Sequence, residues 1–188
     1  MTEQLREQLR ELYEVLRTDT RERWDRDLPL EELLFDRWER AQSLGFGEGS
    51  SIYHNSYVYG EVSVGRNTWI GPFTMLDGSG GLSIGDGCSI SSGVQIYSHD
   101  TVRWAVSAGT SLAERSPVAI GDFTYVGSQT VVGRGVTIGE HSVIGACSFV
   151  NRDIPAYTVA VGIPCRPIGT VKIGEDGVVE LQYPAARP

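Results

Sequence analysis

From residue 52 an aliphatic side chain returns at every sixth position: Ile52, Val58, Val64, Ile70 and Leu76, then Ile84, Ile90 and Ile96, then Ile120, Val126, Val132, Ile138, Ile144 and Val150. Glycine follows directly at Gly65, Gly71, Gly85, Gly121, Gly127, Gly133, Gly139 and Gly145. No α-helix has a period of six, and a plain strand alternates every two residues without placing glycine on a fixed beat. Short strands joined by tight corners account for both features. One aliphatic side chain per rung points inward, and small or left-handed-tolerant residues make the corner. Rungs of this kind bury a continuous core only by stacking, so the chain is expected to be an all-β solenoid.

The pattern resembles the hexapeptide-repeat transferases, whose [LIV]-G-x-x-x-x units build a left-handed parallel β-helix with three hexapeptides in each triangular coil. The handedness comes from the resemblance, because crossover connections are ordinarily right-handed. Three rungs per coil assign the aliphatics to columns. Val58, Leu76, Ile96, Val132 and Val150 form the first, Val64, Ile84, Ile120 and Ile138 the second, and Ile52, Ile70, Ile90, Val126 and Ile144 the third. Both breaks in the rhythm then fall at one corner. The insertion DGSGG (77–81) follows Leu76, and a long excursion follows Ile96 directly above it. Insertions gathered at one corner of a solenoid mark its functional edge.

The expected organisation is a helical cap over 1–48, the β-helix over 49–169 with an extended loop at 97–117, and a hairpin and tail over 170–188. Leu5, Leu9, Leu12 and Leu16 have helical spacing, and a second helix is expected over 28–44, with Pro29 suited to its first turn. These stripes are expected to cover the open first coil; a partner-binding surface is the alternative reading. The segment 170–183 reads as a hairpin turning at Glu175-Asp176-Gly177, followed by a loose tail, PAARP.

Sixteen Lys and Arg against twenty-four Asp and Glu leave no clustered basic surface for nucleic acid. Cys88, Cys147 and Cys165 have neither zinc nor disulfide spacing. The charged start MTEQLREQLRELYEVLR has no apolar signal core, and no apolar run is long enough to enter a bilayer. The expectation is a soluble, cytoplasmic protein.

Only three histidines are present, His54, His99 and His141. His54 and His141 occupy outward positions of regular rungs, where a solvated imidazole is the ordinary reading. His99 stands at the break, on the corner that carries both insertions. In the maltose, galactoside and xenobiotic acetyltransferases, which this chain resembles, a histidine ending such a rung is the general base, and QIYSHD (95–100) occupies that place. Acyl transfer to a hydroxyl or amine needs one group to take the acceptor's proton, a task suited to neutral imidazole near pH 7. A turn N–H is expected to receive the developing oxyanion. No G-x-S-x-G elbow or Cys-His arrangement points to an acyl-enzyme. Asp77, one coil below, either holds the acceptor or orients the imidazole, unless it is an ordinary turn aspartate; Asp100 ranks below it. Tyr97, Arg103 and Trp104 are candidates for an acceptor pocket, Trp104 the best placed.

VTIGEHSVIGACSFVNRDIPAYTVAVGIPCRPIG (136–169) is similar to the ending of the galactoside acetyltransferases. The resemblance implies contacts to coenzyme A from Ala146, Asn151, Arg152 and Arg166, and from Tyr125 and Ser128 in the preceding coil. Cys147 and Asn151 depart from the family pattern. It also implies acetyl-coenzyme A as co-substrate, no required metal, and a homotrimer with active sites between subunits. The outward residues Trp69, Ser89, Tyr125 and Val143 are unusually apolar for an exterior and call for such a cover. The acceptor is expected to be a sugar, as in polysaccharide or nucleotide-sugar synthesis. Two alternatives stand beside this: a non-enzymatic β-solenoid scaffold, and a γ-type carbonic anhydrase. The latter needs zinc-ligating histidines, two of them five residues apart, and no such pair exists here.

Overall fold

The computed structural model describes residues 2–184, so the expected loose tail lies outside the described residues beyond Pro184. The body is a parallel β-solenoid of about six turns, made mostly of two- and three-residue strands. All three columns are present in the expected register. Val58, Leu76, Ile96, Val132 and Val150 stack in the first. Val64, Ile84, Ile120 and Ile138 stack in the second, which a bridge extends to Ile154. Ile52, Ile70, Ile90, Val126 and Ile144 stack in the third, with Ala160 above them. Apart from the partly buried Val58, these side chains form the buried core.

The rest of each hexapeptide has its own physical role. Two residues before each third-column aliphatic stands a small polar residue: Ser50, Thr68, Cys88, Thr124, Ser142 or Thr158. The hydroxyls of Ser50, Thr68, Thr124 and Ser142 donate to the carbonyls of Gly65, Gly85, Gly139 and Pro155 at 2.7, 2.8, 3.1 and 3.0 Å. These bonds satisfy corner carbonyls that face away from water. Cys88 takes the same place in its coil, its Sγ 3.2 Å from the Gly121 carbonyl, and burial pushes its thiol up. At most on-beat positions glycine is needed because adjacent coils touch there. A Cβ on Gly127 would lie 2.5 Å from the backbone nitrogen of Ala146.

Column residues have no room to relax into a vacancy. Ile144, fully buried, is expected to cost about 2–5 kcal/mol when replaced by alanine, through lost transfer energy plus the cavity left behind. A denaturant titration that moved the midpoint by no more than a surface substitution does would contradict this.

The chain ends as expected in an antiparallel hairpin, Arg166–Ile173 with Val179–Gln182, which continues the third-column sheet through Thr158–Val161. The amino-terminal end differs from expectation in two ways. The segment expected as one helix over 28–44 is two, Leu30–Leu34 (α2) and Arg37–Ser43 (α3), following Glu3–Trp24 (α1). Phe35 is extended between them, and Asp36 caps α3 by accepting from the backbone of Trp38 at 2.7 Å. Covering the first coil falls to α3 and the chain just after it. Ala41 and Phe46 are buried, and Arg40 donates to the carbonyls of Tyr53 and Ser56. By contrast α1 has no buried residue, and Leu5 and Leu12 remain exposed. The core-packing reading of its leucine stripe is therefore corrected. Asp25 in the left-handed region (φ 51°) ends α1 and turns the chain. Ion pairs from Arg17 and Arg21 to Asp27 brace that turn, while α3 already occupies the coil end.

Candidate active site

Leu76 and Ile84 stand eight residues apart and Ile96 and Ile120 twenty-four, against six elsewhere in the columns. The smaller insertion does not leave the sheet. Met75–Ile84 is one continuous strand whose bulge, just past Asp77 and Gly78, carries Ser79 through Gly81 around the corner. Asp77 and Tyr97 are register partners, so the long loop departs directly over this bulge. Gly80 permits the close approach, since a Cβ there would lie 2.4 Å from the Ser98 carbonyl oxygen.

The consequence is a buried carboxylate under an accessible imidazole. The Asp77 side chain is 2% exposed and that of His99 35%, and Oδ2 of Asp77 lies 2.5 Å from Nδ1 of His99. The same oxygen accepts from the Ser98 N–H at 3.1 Å, and Oδ1 accepts from the N–H and hydroxyl of Ser79 at 3.0 and 2.5 Å. Burial works against the charged form of Asp77, but the hydrogen bonds from Ser79 and then His99 outweigh it and hold the carboxyl below the ordinary carboxylate range. An ionised Asp77 can only accept, which assigns the proton of neutral His99 to Nδ1 and leaves the Nε2 lone pair free to take a proton.

The other expected residues fall into place as follows. Tyr97 turns its hydroxyl to Gln95 at 2.7 Å rather than toward Asp77. Trp104 lies on the short helix Val102–Val106 (α4), exposed and packed beside Gly109, with Arg103 paired to Glu114 at 3.3 Å. Asp100 accepts from Arg134 at 2.5 Å rather than from the imidazole, and this bond holds its carboxyl below the ordinary range. Five of the six residues matched to coenzyme A contacts divide between two corners. Asn151 and Arg152 follow Val150, on the His99 corner two coils further on. Ser128 and Ala146 occupy the corner leaving the third column, where the Ser128 carbonyl accepts from Cys147 at 2.9 Å. Arg166 joins them there opposite Val161 and gives one donor to the Cys165 carbonyl at 2.6 Å. Between the two corners runs the face carrying Gln95, Val131 and Phe149 in register. Tyr125 stands on the adjoining face, aligned with Ser89 and Val143.

The remaining histidines are not simply solvated, as the sequence had suggested. His141 sits at a corner in the left-handed region and stacks between Phe123 and Tyr157, with ring centroids 5.0 and 4.8 Å away. His54 lies under Phe35 with its Nε2 buried and unpartnered. The three histidines follow three different columns, and among the described residues no group of three His, Cys, Asp or Glu side chains is placed to hold a metal ion. Sequence reasoning missed Ser79 and Ser98. The D-x-S spacing of an Asx turn could have pointed to Ser79. For Ser98, whose hydroxyl accepts from Gly80 at 2.7 Å, only the pairing of coils supplies the information.

Residues 117–152 match the family model described as bacterial transferase hexapeptide (six repeats). Over 52 residues the chain is 50% identical to the galactoside O-acetyltransferase of Escherichia coli (strain K12), covering 28% of this chain and 26% of that protein. The matched segment thus spans about a quarter of the length of the curated relatives. Among solved structures, a galactoside acetyltransferase in complex with coenzyme A superposes with a TM-score of 0.63 at 28% identity, covering 90% of this chain and 84% of that one. A maltose O-acetyltransferase from Clostridium difficile 630 gives 0.55 at 27% identity, covering 89% and 86%. By its repeat, its stacked columns and these matches, the chain resembles the hexapeptide-repeat proteins and has the left-handed β-helix fold of the galactoside and maltose acetyltransferases.

Proposed function

We propose that this protein transfers an acetyl group from acetyl-coenzyme A to a hydroxyl or amine of a sugar, with His99 as general base. The observation that carries the reading is the His99–Asp77 pair at the foot of the long 97–117 loop: a buried carboxylate orders an imidazole that stays about one-third exposed. Acetyl-coenzyme A supplies the acyl group as a thioester. Nε2 takes the acceptor's proton as its oxygen or nitrogen bonds to the acyl carbon. The imidazolium then returns that proton to the departing sulfur, so His99 ends neutral and no covalent enzyme intermediate is needed. Asp77 holds the tautomer and stabilises the transient positive charge.

The donor set suits an elongated anionic co-substrate. Exposed Arg152 and part-buried Arg166 flank the Gln95–Val131–Phe149 face from its two corners, and guanidinium groups match phosphate oxygens. Exposed Tyr125 and its neighbours on the adjoining face support a homotrimer in which a second copy closes the site. Thiol release from acetyl-coenzyme A, followed across a panel of galactosides, glucosides and nucleotide-linked amino sugars, tests the activity; light scattering on the same sample gives the assembly mass. Acceptor-dependent release from a species of three chains is expected. Absence of release with every acceptor, together with no detectable coenzyme A binding by calorimetry, would instead favour a scaffold.

A further inference from the structure

We propose that Arg134 is a positioning residue that clamps the neck of the 97–117 loop and so keeps His99 seated on Asp77; this rests on the reading of His99 as the base. The loop closes on itself through an antiparallel pair only two residues long, His99 opposite Arg115 and Asp100 opposite Glu114. So short a pair is marginal without further support. It also sets two carboxylates directly across from each other, an arrangement that opposes pairing when uncompensated. Arg134 supplies the compensation. It follows Val132 of the first column, one coil beyond Ile96, at the corner the loop leaves from. Its Nε donates to Asp100 Oδ2 and its Nη2 to Glu114 Oε2, both at 2.5 Å, and Nη1 lies 3.5 Å from the Ser116 hydroxyl. One planar guanidinium thereby ties both strands of the neck to the rigid solenoid.

The connections extend to both ends of the loop. Glu114 uses its second oxygen on Arg103 of α4 at 3.3 Å, so the clamp also fixes the helix that presents Trp104. Ser116 donates its N–H to the Ser98 carbonyl at 2.9 Å, and Ser98 in turn donates to Asp77. Arg134, Asp100 and Glu114 are each about one-third exposed, sheltered enough for their charges to be only partly screened. His99 immediately precedes Asp100, so freedom in the neck passes directly to the imidazole.

Hydrogen exchange and proton NMR test this without knowledge of the acceptor. The Nδ1 proton of an imidazole bound to a carboxylate resonates far downfield, and with three histidines in the chain H99A assigns the signal. In R134M, exchange across 97–116 is expected to rise about tenfold or more while the column strands keep their protection, and the His99 signal should broaden or vanish. R134K should recover only part of this, because an ammonium cannot bond both strands as a fork does. The neutralised variant R134M/D100N/E114Q should recover only part of the protection, since the opposed charges are gone but the tie to the solenoid is not restored; full recovery would reduce Arg134 to a charge neutraliser and overturn the clamp. Unchanged exchange and an intact His99 signal in R134M would overturn the clamp and leave the role of His99 untouched. If R134M opens the neck while H99A still transfers acetyl groups, the clamp stands and the catalytic reading of His99 falls.

Discussion

Replacing His99 with alanine is expected to lower kcat by about two to four orders of magnitude, the span general-base removal produces. No other imidazole can substitute. His54 is held under Phe35 and His141 is locked in an aromatic stack, and each follows a different column from His99. The loss should fall on kcat with little change in the KM for acetyl-coenzyme A, because the residues matched to that co-substrate belong to other rungs. Folding should survive the change. Asp77 keeps its bonds from the Ser79 N–H, the Ser79 hydroxyl and the Ser98 N–H, so its charge remains solvated by the protein. Steady-state kinetics beside a light-scattering mass check this. A variant working within about threefold of wild type would remove His99 from the chemistry.

Asp77→Asn should cost almost as much rate, about two to three orders of magnitude, although it is nearly isosteric. An amide in this position cannot face all its donors. With its nitrogen toward His99 it donates to Nδ1, drives the imidazole proton to Nε2 and abolishes the base; the same nitrogen opposes the Ser98 N–H. Rotated the other way, it opposes the Ser79 N–H. Either orientation leaves a buried donor unsatisfied, worth about 1–3 kcal/mol of stability. The pH dependence of stability gives an independent reading. The native carboxyl of Asp77 lies below its ordinary value, so its contribution is present above about pH 4 and is lost as pH falls through the native value. Asp77→Asn should therefore flatten the acid side of the stability curve below about pH 4. An unchanged acid limb, or wild-type kcat, would show that Asp77 does not govern the imidazole.

The legibility of this molecule varies with how local the governing physics is. Column membership could be read for the aliphatics on the six-residue beat from Ile52 to Val150 once the family resemblance supplied three rungs per coil, because each rung must bury one side chain. The corner bearing both insertions followed from the same assignment, which already put Asp77 one coil below His99. The α1 stripe shows where counting ends. Leucines at helical spacing announce a face that seeks cover, yet α3 took the coil end and α1 was turned aside at Asp25.

Contacts between coils are the part that only the tertiary structure decided. Arg134 meets Asp100 and Glu114 across thirty-four and twenty residues, and Ser98 meets Asp77 across twenty-one. A solenoid turns such separations into neighbours, but an insertion of irregular length breaks the arithmetic that would predict them. His141 looked from its rung position like a solvated imidazole, whereas the left-handed corners of three successive coils align Phe123, His141 and Tyr157 into one stack. The periodic part of this sequence specifies its own structure because burial repeats with it. The loop proposed to carry the chemistry has no period, so its conformation is set by hydrogen bonds and ion pairs to the coils beside it.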